Sequence, residues 1–126
     1  MDVLEQFRRA RYVSLTTFRK DGSGVATPVW FAVDGSELFI VSDADAWKVK
    51  RIRREGRVNV AVCDVRGRIA PDALRADGTA RVLDETQTQK VRALIARKYM
   101  MSRLGNWLVR VFHLRKKPVI GIAVTL

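Results

Sequence analysis

Histidine and cysteine are nearly missing from this chain: His113 and Cys63 are the only ones among 126 residues. A lone cysteine excludes an intrachain disulfide and any two-cysteine zinc or redox pair, and it suits a reducing, cytoplasmic setting. A lone histidine excludes a His-rich metal site and leaves a Ser-His-Asp triad dependent on one residue of a basic tail, so no metal centre is expected. Cys63, near a strand end, reads as a small core residue. No G-x-S-x-G elbow, P-loop or G-x-G-x-x-G occurs; the nearest approach, GSGVAT at 22–27, lacks the third glycine and sits in a hairpin turn. No run approaches the ~20 apolar residues of a membrane-spanning helix, and MDVLEQFRRARY has charges throughout and no apolar leader region. Negative charge is scarce as well: 13 acidic residues face 24 basic ones, giving a formal net charge of +11.

These absences leave few side chains for acid-base or covalent chemistry. Any reactive group is therefore expected to come from a cofactor, with the protein supplying orientation and electrostatics. The positive balance calls for an anionic partner, whether nucleic acid, phospholipid or a ligand carrying phosphates and carboxylates. Its densest part is WKVKRIRREGR at 47–57, where six cations meet the single carboxylate Glu55.

The length fits one domain with one core, residues 1–126. Residues 2–10 read as a short opening helix capped by Asp2. YVSLTTF (12–18) and VATPVWFAV (25–33) flank Asp21-Gly22 as a hairpin, and ELFIVS (37–42) follows the Asp34-Gly35 turn. Asp45 is placed to cap the basic helix, whose inward face carries Val49 and Ile52 and which Gly56 is expected to end. That start directs the amides of Ala46, Trp47 and Lys48 outward, with Lys48 and Lys50 nearby, an arrangement suited to a phosphate. A fourth strand spans 58–64. A fifth, ALRADGTARVL, carries Asp77-Gly78 at its middle, a mark of a bulge or of a closely approached backbone. Asp84 and Gln87 resemble a capping box for a helix over 85–101 with Val91, Leu94, Ile95 and Tyr99 on one face. WLVRVFHL reads as a short amphipathic helix and VIGIAVTL as the closing strand. Six strands with short connections favour an α+β antiparallel barrel with short flanking helices. Pro28 should lie at an edge or bend, where bared backbone beside Trp30 can meet the rim of a planar heterocycle.

In order and spacing, TPVWF, KVKRIRREGRV and CDVRGR resemble the pyridoxamine 5′-phosphate oxidase-like split β-barrel superfamily, and within it the small branch that uses coenzyme F420. The similarity runs from the opening helix to IGIAVTL. It implies a six-stranded split barrel, a homodimer with a cofactor site in each interface cleft, and hydride transfer between reduced F420 and a small organic substrate. It also implies that the ring lies along Thr27, Pro28, Val29 and Trp30. The phosphate would meet Ser42, Asp43, Trp47, Lys48 and Lys50, with Arg75 near the cofactor. Arg51 stands where many relatives carry asparagine, and Arg66 and Arg68 are placed by charge to meet an acidic tail. The vitamin B6 oxidase branch has a further C-terminal Arg-Leu-x-Pro-type motif that does not occur before Leu126, which directs expectation away from that substrate. Flavin mononucleotide (FMN) is the alternative cofactor, and the extra glutamates of F420 match the +11 charge better. A cofactor carrier without turnover and a basic nucleic-acid-binding module are the rival readings.

Overall fold

A computed structural model describes residues 3–100 and 118–126. The expected Asp2 cap and the helix expected in WLVRVFHL lie outside these residues. Elements follow in the order α1 (Val3–Arg8), β1 (Tyr12–Phe18), β2 (Gly24–Val29), β3 (Phe31–Asp34), β4 (Glu37–Asp43), α2 (Trp47–Arg54), β5 (Arg57–Cys63), β6 (Arg75–Val82), α3 (Glu85–Met100) and β7 (Val119–Thr125).

The seven strands form one antiparallel sheet in the order β2-β1-β5-β6-β7-β4-β3. One strand more than expected arises because VATPVWFAV breaks at Trp30. Its first half pairs with β1, from Val29 opposite Val13 to Gly24 opposite Phe18. Its second half turns to pair with β4, beginning with Phe31 opposite Ile40. The two open edges of the sheet, β2 and β3, are thus consecutive in the chain, and the covalent bend at Trp30 joins them: this is a split barrel. Pro28 sits on edge strand β2 next to that bend, where its missing N–H costs no ladder bond.

Alternation sorts the side chains to two faces. Val13, Leu15, Val29, Phe31, Leu38, Ile40, Val58, Val60, Ile122 and Val124 fill the interior, and Phe7 of α1 with Val49 and Ile52 of α2 complete it. Outside, α3 lays Val91, Ile95 and Tyr99 over Ala32 and Ala123. Asp84 starts α3 as its spacing suggested, its Oδ1 accepting the Gln87 amide at 2.8 Å. Among the described elements, α3 packs mainly on β7, β4 and β3, whereas the helix that packs most on β1 and β6 is α2.

Two turns follow the sequence signals. Gly22 and Gly35 take φ of 88° and 59°, which a side chain would disfavour. Asp77-Gly78 makes no bulge: Asn59 opposite Asp77 and Val58 opposite Gly78 continue an unbroken ladder. Close approach is the reason for this glycine, because a Cβ there would stand 2.8 Å from the Thr125 carbonyl oxygen. Gly78→Ala is expected to push β7 from β6 and cost about 1–3 kcal/mol. Chemical denaturation of the purified variant checks this, and an unchanged midpoint would contradict the packing.

Candidate functional site

The basic segment folds as a helix of eight residues with opposed faces. Val49 and Ile52, three apart, point into the barrel and are 0% and 4% exposed. Burying two such side chains contributes roughly 1.5–3 kcal/mol each, so the core fixes which way the charges face. Trp47, Lys50, Arg51 and Arg54 then fall at i, i+3, i+4 and i+7 along the other side. This stripe faces the β1–β2 hairpin, and together with Arg19 and Lys20 it lines a cleft of about 470 Å³. Among the described residues, no carboxylate lines the cleft.

Each cation is placed by its own contacts. The Arg54 guanidinium donates to the Phe18 carbonyl and that of Arg51 to the Thr17 hydroxyl at 3.3 Å, clamping helix to hairpin. Lys50 Nζ stands 4.3 Å from the centre of the Trp47 ring, a cation–π distance. Trp47 is 68% exposed, so most of its surface is open to solvent at the cleft. A large exposed indole among like charges is poor packing and a good platform for a planar anion.

Two expectations about this helix are corrected. Its N-cap is Ala46, with extended φ and ψ and no side-chain cap, because Asp45 lies one residue too early. The Ala46 amide is also engaged, donating to the Asp43 carbonyl at 3.1 Å. At the other end Arg54 is the last helical residue, and Glu55 already has φ −145°. Gly56 serves instead to let β6 approach, since a Cβ would lie 2.8 Å from the Ala80 carbonyl oxygen.

The remaining expected site residues lie outside the cleft, and only some of them gather at the strand bend. Thr27, Pro28 and Val29 end β2. Val29 is core, Pro28 is exposed, and the Thr27 hydroxyl is buried without a hydrogen-bond partner among the described residues. Trp30 is half-buried and packs against Tyr99, with ring centres 6.2 Å apart. Ser42 is buried at the end of β4, its hydroxyl donating to the Asp43 carbonyl at 3.1 Å. Lys48 lies off the stripe that lines the cleft. Arg75 opens β6 opposite Ala61, three strands across the sheet from Pro28. The structure therefore brings Trp47 and Lys50 together with Arg51 and adds Arg19, Lys20 and Arg54, which the sequence reading did not select. The helical spacing 47-50-51-54 carried the signal for Arg54, whereas Arg19 and Lys20 reach the cleft only through tertiary packing.

Burial, then the Asp64 charge, raises the Cys63 thiol above its ordinary pKa, so it is held protonated rather than poised as a nucleophile. His113 lies outside the described residues. Among those described, no group of three or more His, Cys, Asp or Glu is placed to hold a metal ion. Nor is any helix among them long and apolar enough to cross a membrane.

The sequence profile of pyridoxamine 5′-phosphate oxidase matches residues 2–125, nearly the whole chain. The chain belongs to the pyridoxamine 5′-phosphate oxidase family. Solved structures agree on the fold. A candidate pyridoxamine 5′-phosphate oxidase of Listeria innocua superposes with a TM-score of 0.63 at 19% identity, over 98% of this chain and 86% of the other. A structure described as an F420 reductase gives 0.63 at 22% identity, over 94% and 87%. The heme storage protein HutZ of Vibrio cholerae gives 0.66 at 14% identity, over 97% and 86%. No curated protein sequence matches this one. As a pyridoxamine 5′-phosphate oxidase family member, the chain combines the shared barrel with a cleft in which Arg19, Lys20, Lys50, Arg51 and Arg54 surround one exposed indole.

Proposed function

We propose that this family member is a coenzyme F420-dependent oxidoreductase that exchanges a hydride between the deazaflavin and a small organic substrate. The observation that carries this reading is the cleft of Arg19, Lys20, Trp47, Lys50, Arg51 and Arg54. Five cations exceed what a single phosphate needs, and F420 adds a chain of carboxylates to its phosphate whereas FMN does not. Likeness to an F420 reductase is consistent with this choice. The residues present fit such a ligand: the orphaned Thr27 hydroxyl offers a buried hydrogen-bonding group on edge strand β2, and the basic stripe offers charge.

When bound, the deazaflavin supplies the ring carbon that gives or takes the hydride. Thr27, Pro28, Val29 and Trp30 would orient the ring through bared backbone at the bend, while Trp47, Lys48 and Lys50, with Ser42 and Asp43 at the strand end, would hold the phosphate side. Arg75 is the outermost candidate contact. Their shared contribution is orientation, which in well-aligned systems supplies about 7–11 kcal/mol of a barrier. A homodimer is part of the proposal, with exposed Ala26 and Pro28 on the open edge strand β2 available to a second copy.

Titration of the purified protein with F420 and, separately, with FMN tests the reading, followed by oxidation of the reduced cofactor with a panel of enones and quinones. F420 is expected to bind more tightly than FMN and to turn over with at least one acceptor. Binding without turnover would favour a carrier, tighter FMN binding a flavin enzyme, and failure of both cofactors to bind would end the proposal.

A further inference from the structure

Beyond β5 the chain makes a turn organised by one carboxylate. Asp64 Oδ1 accepts the amides of both Arg66 and Arg68 at 2.9 Å. Backbone closes the same turn twice more: the Asp64 amide donates to the Arg68 carbonyl and the Gly67 amide to the Asp64 carbonyl, each at 3.0 Å. The Arg68 amide first, then that of Arg66 and the two arginine charges, hold the Asp64 carboxyl below its ordinary pKa. Gly67, at φ 84°, lies against β2, where a Cβ would come within 3.3 Å of Pro28 Cδ. The turn is thereby docked on the edge strand, with both arginines exposed beside it.

Among the described residues, neither guanidinium is held by a close ion pair. Arg68 Nε stands 4.0 Å from Asp64 Oδ2, at the limit of an ion pair, and Arg66 makes no salt bridge among the described residues. A second observation marks the same place. Ser14, opposite Pro28 in the ladder and 1% exposed, has a hydroxyl without a hydrogen-bond partner among the described residues. A surface serving only solubility does not need two arginines with fixed backbones and an orphaned hydroxyl beneath.

The location separates this feature from the basic cleft. Arg19 and Lys20 lie at the tip of the β1–β2 hairpin, whereas Tyr12 opposite Cys63 marks the far end of β1, where the Asp64 turn begins. Along β2, Gly24 and Pro28 are about 13 Å apart at ~3.3 Å per residue. A ligand with its phosphate in the cleft and its ring along Thr27–Trp30 leaves the arginines of the turn facing the other reactant. We infer that Arg66 and Arg68 recognise a carboxylate on the substrate, and that Asp64 is the positioning residue which presents them. Two planar forks match a carboxylate better than a neutral carbonyl or amide. The inference rests on the proposed ring position, and it narrows the substrate class to organic acids.

The test is a titration of ¹⁵N-labelled full-length protein, without cofactor and loaded with F420, using benzoate and its neutral analogue benzamide as probes. Benzoate is expected to shift the Arg66, Gly67 and Arg68 amide resonances saturably, and benzamide to leave them in place. Arg66→Ala with Arg68→Ala should weaken benzoate at least tenfold and leave the weaker benzamide response unchanged. Asp64→Ala should weaken it several-fold, and Asp64→Asn, which keeps the acceptor oxygen, should restore most of the loss; a role in folding alone would not separate benzoate from benzamide. Equal responses to the two probes, or benzoate shifts confined to the cleft, would overturn the inference. Benzoate binding at the turn without any F420 binding would instead retain the arginine site and remove the cofactor reading.

Discussion

Replacing Lys20 and Lys50 together by glutamate is expected to lower F420 affinity about 100-fold, equivalent to about 2.7 kcal/mol. The pair is chosen because each residue comes from a different wall of the cleft, one from the hairpin and one from α2, and both are exposed. Neither holds the helix in place, a task that falls to Arg51 and Arg54 through Thr17 and Phe18. Stability should therefore move by no more than about 0.5 kcal/mol, as for other surface substitutions. Hydrogen bonds to charged groups contribute about 1.5–3 kcal/mol each, and water screening at an open cleft takes part of that away, so two reversals give the stated loss rather than a larger one. Raising the salt concentration should shrink the gap between variant and wild type, because the Debye length falls from ~10 Å at 0.1 M to ~3 Å at 1 M. Fluorescence titration at two ionic strengths measures both effects. Equal affinities at low salt would remove the cleft from the cofactor site. Duplex DNA offers the contrasting outcome: a basic nucleic-acid face would show a log-log salt slope of about −0.9 per phosphate neutralised and no preference for F420.

What could be read in the sequence divides along physical lines. Strand identities followed from alternation and from turn residues, since Asp21-Gly22 and Asp34-Gly35 dictate backbone geometry locally. The bend at Trp30 was legible only in part: Pro28 pointed to an edge or bend, but that VATPVWFAV splits into two strands follows from its two different pairing partners, β1 and β4. Pro28 did announce an edge, since its ring removes a donor wherever it stands. For α2, the buried pair Val49 and Ile52 was evident from spacing, and the charged stripe is its geometric complement. Arg19 and Lys20 join that stripe through tertiary packing of the hairpin against the helix, which no local signal encodes. Asp45 was misplaced as a cap by one residue, the ordinary uncertainty at helix ends. At Asp77-Gly78 the glycine's purpose lay across the sheet in the Thr125 carbonyl, a contact between residues far apart in sequence.

Phe31→Ala should cost about 3–5 kcal/mol, a large share of the ~5–15 kcal/mol that holds a domain of this kind together. Phe31 is fully buried as the first residue after the bend, and its loss leaves a cavity between β3 and the barrel interior. It also carries two further links. Its amide donates to the Tyr99 hydroxyl at 3.3 Å, and that hydroxyl donates to the Arg11 carbonyl at 2.6 Å, so backbone on both sides of β1 converges on one phenol. Its ring lies 3.4 Å from Lys98 Nζ, which donates to the Ala10 carbonyl at 2.9 Å at the end of α1. Burial, and secondarily the Arg8 charge, lowers the Lys98 amine from 10.5 to about 8. Between those values the unfolded chain holds a proton that the folded chain has released, so this amine makes stability rise with pH across that window, and below it the burial penalty is full. Burial pushes Tyr99 up to about 12, and its contribution runs the other way, falling as pH passes ~10, where an unfolded tyrosine ionises. In Phe31→Ala, water entering the cavity reaches Lys98 Nζ, so the rise between pH 8 and 10 should flatten along with the loss of stability. Phe31→Leu, which refills most of the volume, should keep the rise at a smaller cost. Denaturation midpoints of the three proteins at pH 7, 8.5 and 9.5 distinguish these outcomes. An undiminished rise in the alanine variant would show that something other than the Phe31 ring keeps water from this amine.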